Sequence, residues 1–155
     1  MSSNCSTSLV NSLKRWTTSS NPSFNERLFS ISKSSIRFLK KKFPSIVIVK
    51  NPMDLVGDAN TERYKLALEQ CIKDKNVDII LAVILSQTPL VEKENIVQVL
   101  QEINKKSKKP IITITTGSEY ALTTKKAIEE SGLPCFVFPN NAVRAIKAFV
   151  EYYRK

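Results

Sequence analysis

Two acids, Asp54 and Asp58, stand four residues apart in the stretch Asn51-Pro-Met-Asp-Leu-Val-Gly-Asp-Ala-Asn-Thr-Glu-Arg-Tyr64. A carboxylate pair beside a strand end is the kind of hard oxygen ligand set that holds Mg2+. The structural alternative is that Asp58 and Asn60 accept from the unpaired N–H groups of a following helix. A phosphoacceptor site built on the pair would need a further acid closing a later strand, and the run 111–117 offers none before Glu119. A second candidate is Ser86-Gln87-Thr88, directly ahead of a helical pattern. Free N–H groups and the positive end of the helix dipole favour an anion there, and Glu92 and Glu94 partly offset it. Neither a P-loop nor a G-x-G-x-x-G occurs, so an ordinary solvated helix start is the plain alternative. A third loop, Gly117-Ser118-Glu119, reads as a single-glycine turn with a capping serine.

The residue types that are missing restrict the chemistry further. The 155 residues contain no histidine. That excludes imidazole acid–base catalysis, Ser-His and Cys-His nucleophiles, and a phosphohistidine carried by these residues. Cys5, Cys71 and Cys135 are far apart and odd in number, with no C-x-x-C, so a zinc site or redox pair is not expected and reduced thiols in a cytoplasmic protein are. No apolar run approaches the ~18–20 residues needed to cross a bilayer. The N-terminus lacks the apolar core of a secretory signal. Residues 1–50 carry nine Lys/Arg and one acid, whereas 51–155 carry fifteen against thirteen. The compact part is therefore near neutral, and a nucleic-acid role for the whole domain is weakly supported.

The elements that must position these loops can be read from periodicity. Residues 1–25 are Ser/Thr/Asn-rich and read as a flexible tail, with a transit peptide or a remnant of an upstream domain (Leu9, Val10, Leu13, Trp16) as alternatives. Residues 33–42 predict a short basic helix capped by Ser32, with Ile36, Leu39 and Phe43 on its apolar stripe and Pro44 stopping it. Lys40-Lys41-Lys42 suits the negative end of its dipole, and a phosphate or RNA patch is the sharper alternative. Four β–α units follow. The first has a strand over 46–49, extending through the loop toward Leu55, and a helix over 60–73 burying Tyr64, Ala67, Leu68, Cys71 and Ile72. The second has a strand over 79–85 and a helix over about 92–104 burying Ile96, Val99, Leu100 and Ile103. The third has a strand over 111–116 and a helix over 119–130 with Ala127 and Ile128 inward, then Gly132 as its C-terminal cap. The fourth has a strand over 135–138 and a helix over about 141–153 burying Ala142, Ala145, Ile146, Phe149 and Tyr153. Gly57 is expected to take a positive φ in the first loop.

Strands alternating with helices of 12–14 residues imply parallel pairing, right-handed crossovers and helices on both faces. The expected fold is α/β, a three-layer flavodoxin-like sandwich with a short parallel sheet, over residues 26–155. Ligands of such sheets meet the loops at the carboxyl ends of the strands, here 50–60, 86–92, 117–119 and 138–141.

In order, the motif Asn51-Pro-Met-Asp-Leu-Val-Gly-Asp-Ala with Glu62-Arg-Tyr64, the runs Asn76-Val-Asp-Ile-Ile-Leu-Ala-Val-Ile-Leu85 and Lys109-Pro-Ile-Ile112, then Gly117, Ser131-Gly-Leu-Pro-Cys135 and Ala142-Val-Arg-Ala-Ile146 resemble a known family. They are similar to the CoA-ligase domain of ADP-forming acetyl-CoA synthetases, the NDP-forming acyl-CoA synthetases. They are more distantly similar to the C-terminal domain of the succinyl-CoA synthetase β subunit. The resemblance marks Asn51, Pro52, Asp54, Gly57, Asp58, Arg63 and Gly117 as motif residues of structural weight. It implies a reversible reaction of acyl-CoA, ADP or GDP and phosphate to free acid, nucleoside triphosphate and CoA, with phosphate carried on a phosphohistidine. It also implies partners that supply the CoA-binding, phosphohistidine and ATP-grasp domains, with CoA, ADP/ATP and Mg2+ bound only in the assembled enzyme. The helix after Ser86-Gln87-Thr88 is the one whose N-terminus would face the phosphohistidine. The family usually has Thr-Pro-Gln at those positions and Gly-Gly at Gly117-Ser118, and the chain departs from both. A non-catalytic flavodoxin-like binding module derived from the family is the alternative, and a basic RNA-associated protein using its N-terminal tail is a third reading.

Overall fold

The computed structural model describes residues 31–85, 91–116 and 119–153. In order the elements are α1 (Lys33–Lys42), α2 (Thr61–Lys73), β1 (Ile80–Leu85), α3 (Lys93–Lys106), β2 (Ile111–Thr116), α4 (Glu119–Glu130), β3 (Cys135–Phe136) and α5 (Pro139–Tyr153). Their ends follow local chemistry. Ser32 caps α1 by accepting from the Ser35 N–H at 3.2 Å. Phe43, extended ahead of Pro44, closes that helix. Asn60 Oδ1 caps α2 by accepting from the Arg63 N–H at 2.9 Å. After α4, Gly132 takes a φ of +87°. The Gly132 N–H then reaches the Glu129 carbonyl and the Leu133 N–H the Ile128 carbonyl, the paired bonds of a left-handed helix end. Pro139 opens α5, a position where the missing N–H costs nothing.

The sheet is parallel, in the order β1-β2-β3, with Ile80 opposite Ile111 and Thr113 opposite Cys135. Because β1 and β2 alternate faces, Ile80, Ala82 and Ile84 point with Ile111 into one core. That core also holds Tyr64 and Leu68 of α2, Ile96, Val99, Leu100 and Ile103 of α3, and Ile128 of α4. Leu81, Val83, Ile112 and Ile114 point the other way, against Ala142 and Ile146 of α5. Helices thus cover both faces of an open sheet, as a flavodoxin-like sandwich requires. Thr113 and Thr115 face the larger core and are fully buried. Their hydroxyls donate to the Pro134 and Ala121 carbonyls at 2.9 and 3.2 Å, so neither is left unpaired in an apolar setting. Among the described residues no helix is long and apolar enough to cross a membrane.

Five features depart from the sequence expectations. The stretch 46–49 is not a sheet strand. Ile48 instead pairs in antiparallel fashion with Asp54, its N–H and carbonyl both engaged within 3.1 Å, so the chain folds back on itself over 48–54. Val47 and Val49 bury against Leu39, Phe43 and Ala67, while Ile46 and Ile48 are exposed. The run is apolar as expected, but its buried residues pack on the α1–α2 pair rather than joining the sheet. The last strand stops at Phe136, two residues short of 138, because Phe138 is already at the entry to α5. Phe149 is 42% exposed rather than buried. The positive φ in the first loop belongs to Val56 (66°), not to Gly57. Asp58 does not cap α2; that role falls to Asn60 alone, and Asp58 turns to Arg63.

Candidate functional site at the carboxyl edge

The loop 50–60 and the start of α3 lie side by side at the carboxyl edge. Leu55 and Ala59 pack on the core that contains Val91 and Ile96. The Asn51–Pro52 peptide is cis. Asp54 Oδ1 accepts from the Val56 N–H at 2.9 Å, a short side-chain turn that holds Val56 in its left-handed conformation. Arg63 reaches back from α2, and its Nη1 donates to the Leu55 carbonyl at 2.9 Å and to Asp58 Oδ1 at 2.7 Å. That hydrogen bond holds the Asp58 carboxyl below the usual range. Asp54 and Asp58 are therefore turned to separate partners, one to a backbone N–H and one to a guanidinium. Gly57 lies in the open: a Cβ added there would meet nothing within 4 Å.

Tyr64 fixes the relation of α2 to the sheet. It is buried, its phenol donates to the Val83 carbonyl at 3.3 Å, and burial raises its pKa. The Ile80 N–H bonds across to Pro110, so the backbone groups of Leu81, Val83 and Leu85 face the outer edge of β1. The hydroxyl occupies that edge where a further strand would pair.

A cleft of about 500 Å³ separates the first halves of α2 and α3, with Asn60, Thr61 and Glu62 on one wall and Glu92, Asn95 and Gln98 on the other. Lys65 and Glu102 span it at 3.1 Å. Each shifts the other: the hydrogen bond raises the Lys65 pKa and lowers that of Glu102.

At the upper end of this cleft α3 begins differently from α1 and α2. Its N-cap residue, Glu92, makes no side-chain cap hydrogen bond. The Glu92 carboxylate accepts instead from Asn95 Nδ2 at 2.6 Å, while Glu94 pairs with Lys93 at 3.2 Å. Among the described residues the N-cap side chain thus leaves the first N–H groups of α3 open, except that of Glu94, which its own carboxylate accepts from; an open helix start can receive an anion. Ser86, Gln87 and Thr88, the residues expected to face that anion, and Gly117 lie outside the described residues.

Asp74, at the opposite end of the sheet, was not singled out from sequence. It is 3% exposed and accepts from the backbone N–H groups of Ser32 and Asn76 at 2.8 and 3.0 Å. Burial raises its pKa, but the hydrogen bonds from Ser35, Asn76 and Ser32 outweigh it, and the carboxyl titrates below its ordinary value. Its sequence position, at the end of α2, carries no sign of a partner 42 residues away. Burial pushes the thiol of Cys71 nearby up to about 11.

No family model matches the chain. It is 26% identical over 130 residues to the ADP-forming acetate–CoA ligase II subunit alpha of Pyrococcus furiosus, covering 81% of this chain and 28% of that protein. It is 30% identical over 129 residues to the ADP-forming acetate–CoA ligase I of Archaeoglobus fulgidus, covering 83% of this chain and 18% of that protein. The chain therefore spans less than a third of the length of these relatives. In fold it matches the apo form of the dinucleotide-forming acetyl-coenzyme A synthetase 1 of Ca. Korarchaeum cryptofilum, with a TM-score of 0.71 at 20% identity over 81% of this chain and 28% of that one. The same synthetase, in complex with phosphate and ADP, matches equally well. In sequence and in fold, the chain is related to one domain-sized segment of the ADP-forming acetate–CoA ligases.

Proposed function

We propose that the chain is a domain or split subunit of an ADP-forming acyl-CoA ligase, with residues 26–155 as its flavodoxin-like unit. The assembled enzyme interconverts acyl-CoA, ADP and phosphate with free acid, ATP and CoA. The chain has no histidine to carry the phosphoryl group, and the CoA-binding, phosphohistidine and ATP-grasp domains, with nucleotide and Mg2+, are assigned to partner polypeptides. The setting is cytoplasmic. This chain's own part is to complete the assembly and to offer the start of α3, with Ser86, Gln87 and Thr88, to the partner's phosphohistidine. The observation that carries this reading is the α3 N-terminus at the carboxyl edge: among the described residues its N-cap residue Glu92 makes no cap hydrogen bond, whereas Ser32 and Asn60 cap α1 and α2. A helix start in that state stabilises a doubly charged phosphoryl group through its N–H groups and dipole.

The test is reconstitution. Co-purification from the native cell should recover a partner with a histidine-bearing and an ATP-grasp domain, and ADP phosphorylation coupled to acid release should need both polypeptides. Turnover of acetyl-CoA by the purified chain alone would refute the division of labour. Calorimetric binding of CoA or ADP to the isolated chain, with no stable partner, would favour a free-standing binding module instead.

A further inference from the structure

The near-neutral balance of residues 51–155 hides a segregation of charge that only the folded chain reveals. Lys109 Nζ donates to the Cys71 carbonyl at 3.0 Å and also to the Asp74 carbonyl, which pins the turn after α3 against the end of α2. The Ser32 N–H bonded to Asp74 brings the start of α1 to the same place. Lys33, Lys73, Lys75, Lys105, Lys106 and Lys108 are thereby gathered at the amino end of the sheet, all exposed. None forms an ion pair with another described residue. Of the two acids in these segments, Asp74 is buried and bonded, which leaves Asp78 as the exposed one. Helix dipoles account for Lys73, Lys105 and Lys106 at helix ends. They do not account for Lys75 and Lys108 beyond those ends, and they oppose Lys33 at the first position of α1.

We propose that this lysine face binds the phosphate backbone of a nucleic-acid duplex without reading its sequence. The composition discriminates among polyanions. Protein interfaces are depleted in lysine and centred on apolar or aromatic anchors, and these segments expose neither. Stable anchoring to a membrane adds an inserted apolar face, missing here, to the electrostatic adsorption that any lysine cluster gives. Single strands are held by base stacking on aromatic rings, and the segments 31–33, 73–78 and 105–110 contain none. Backbone contact to a duplex needs only cations placed on one face. The face is also separate from the start of α3: the two lie at opposite ends of that 14-residue helix, about 20 Å apart.

The experiment is fluorescence anisotropy of the intact chain with a labelled duplex of about 20 base pairs, from about 50 to 200 mM salt, where log K should fall linearly with log salt. The triple variant Lys105→Gln/Lys106→Gln/Lys108→Gln should bind about tenfold or more weakly at the low-salt end, with the slope shallower by about 2 to 3. Lys40→Gln/Lys41→Gln/Lys42→Gln makes the same change in net charge at the other end of α1 and should leave affinity and slope unchanged. All six positions are exposed, and thermal melts check that both variants fold. No binding by the unaltered chain overturns the proposal, as do equal losses in the two variants or full affinity in the first. Tighter binding to phosphatidylserine vesicles than to the duplex also overturns it, assigning the face to a membrane.

Discussion

The Tyr64 hydroxyl donates to the Val83 carbonyl at 3.3 Å, across the outer edge of β1. One side chain of α2 thereby occupies that edge, while the stretch 46–49 pairs locally, Ile48 with Asp54. An apolar strand edge without such cover would be a template for unwanted pairing. Tyr64→Phe should therefore lower stability by about 1 kcal/mol, the net worth of one hydrogen bond. Self-association at high concentration should rise as well. Urea unfolding reads the first effect and light scattering the second; an unchanged midpoint would mean that the bond contributes nothing.

The acid-side stability of the domain should depend on Asp74. Its pKa is depressed in the folded chain, so its contribution is complete above the unfolded value of about 3.9 and is lost as pH falls through the folded value. Asp74→Ala should cost about 2 kcal/mol at neutral pH, because the Ser32 and Asn76 N–H groups lose a charged acceptor. The same variant should show a flatter dependence of urea midpoint on pH below about 4. An equally steep acid limb in the variant would place the titrating group elsewhere.

Glycine substitutions should separate the two glycines with described surroundings. Gly132→Ala should destabilise by about 1 kcal/mol, since its φ of +87° penalises any side chain. Gly57→Ala should be neutral or stabilise by up to about 1 kcal/mol, because the added methyl meets nothing and the unfolded chain loses freedom. Thermal unfolding of the two variants in parallel decides the matter, and a loss at Gly57 equal to that at Gly132 would contradict the backbone assignment.

Arg63 should matter through its hold on the loop rather than through its charge pair. Asp58 is 63% exposed in its side chain, and Asp58→Asn should leave the unfolding midpoint unmoved. Arg63→Ala should cost about 1 to 2 kcal/mol, from the lost bond to the Leu55 carbonyl and the lost packing of a side chain that is only 13% exposed. Proteolysis within 50–60 should quicken in Arg63→Ala alone. Equal destabilisation by the two variants would return the weight to the ion pair.

In the reconstituted ligase, Thr88→Glu should slow phosphoryl transfer by about tenfold, by placing a negative charge where the α3 dipole is proposed to favour phosphate. The unfolding midpoint should change little. The yield of phosphorylated histidine on the partner, followed with labelled phosphate, is the readout. Unaltered phosphorylation would reduce the loop to ordinary surface.

Most helices were legible because their signals are local. The 3.6-residue spacing of Ile96, Val99, Leu100 and Ile103 defined the buried face of α3, and Ser32, Asn60 and Gly132 marked helix ends by groups that act within a few residues. The continuous apolar run of β1 and the Ile-rich β2 were equally plain. At the carboxyl edge, the sequence identified the start of α3 and the motif 51–64, but it could not say which of Asp58 and Asn60 caps α2, because both spacings suit a helix start.

The sequence by itself determined the order of the helices, the three parallel strands from Ile80 onward and the absence of a histidine that could carry phosphate. The tertiary structure decided the rest, because the partners are distant in the chain or compete. Val47 and Val49 could satisfy their burial against a sheet or against α1 and α2, and only packing chose the latter. Ser32 and Asp74 meet across 42 residues. The lysines of three separate segments converge because Lys109 folds back on the end of α2 and Asp74 anchors α1. Periodicity reports which face of an element is apolar; it carries no information about which other element will cover that face, or which charges will stand together once it is covered.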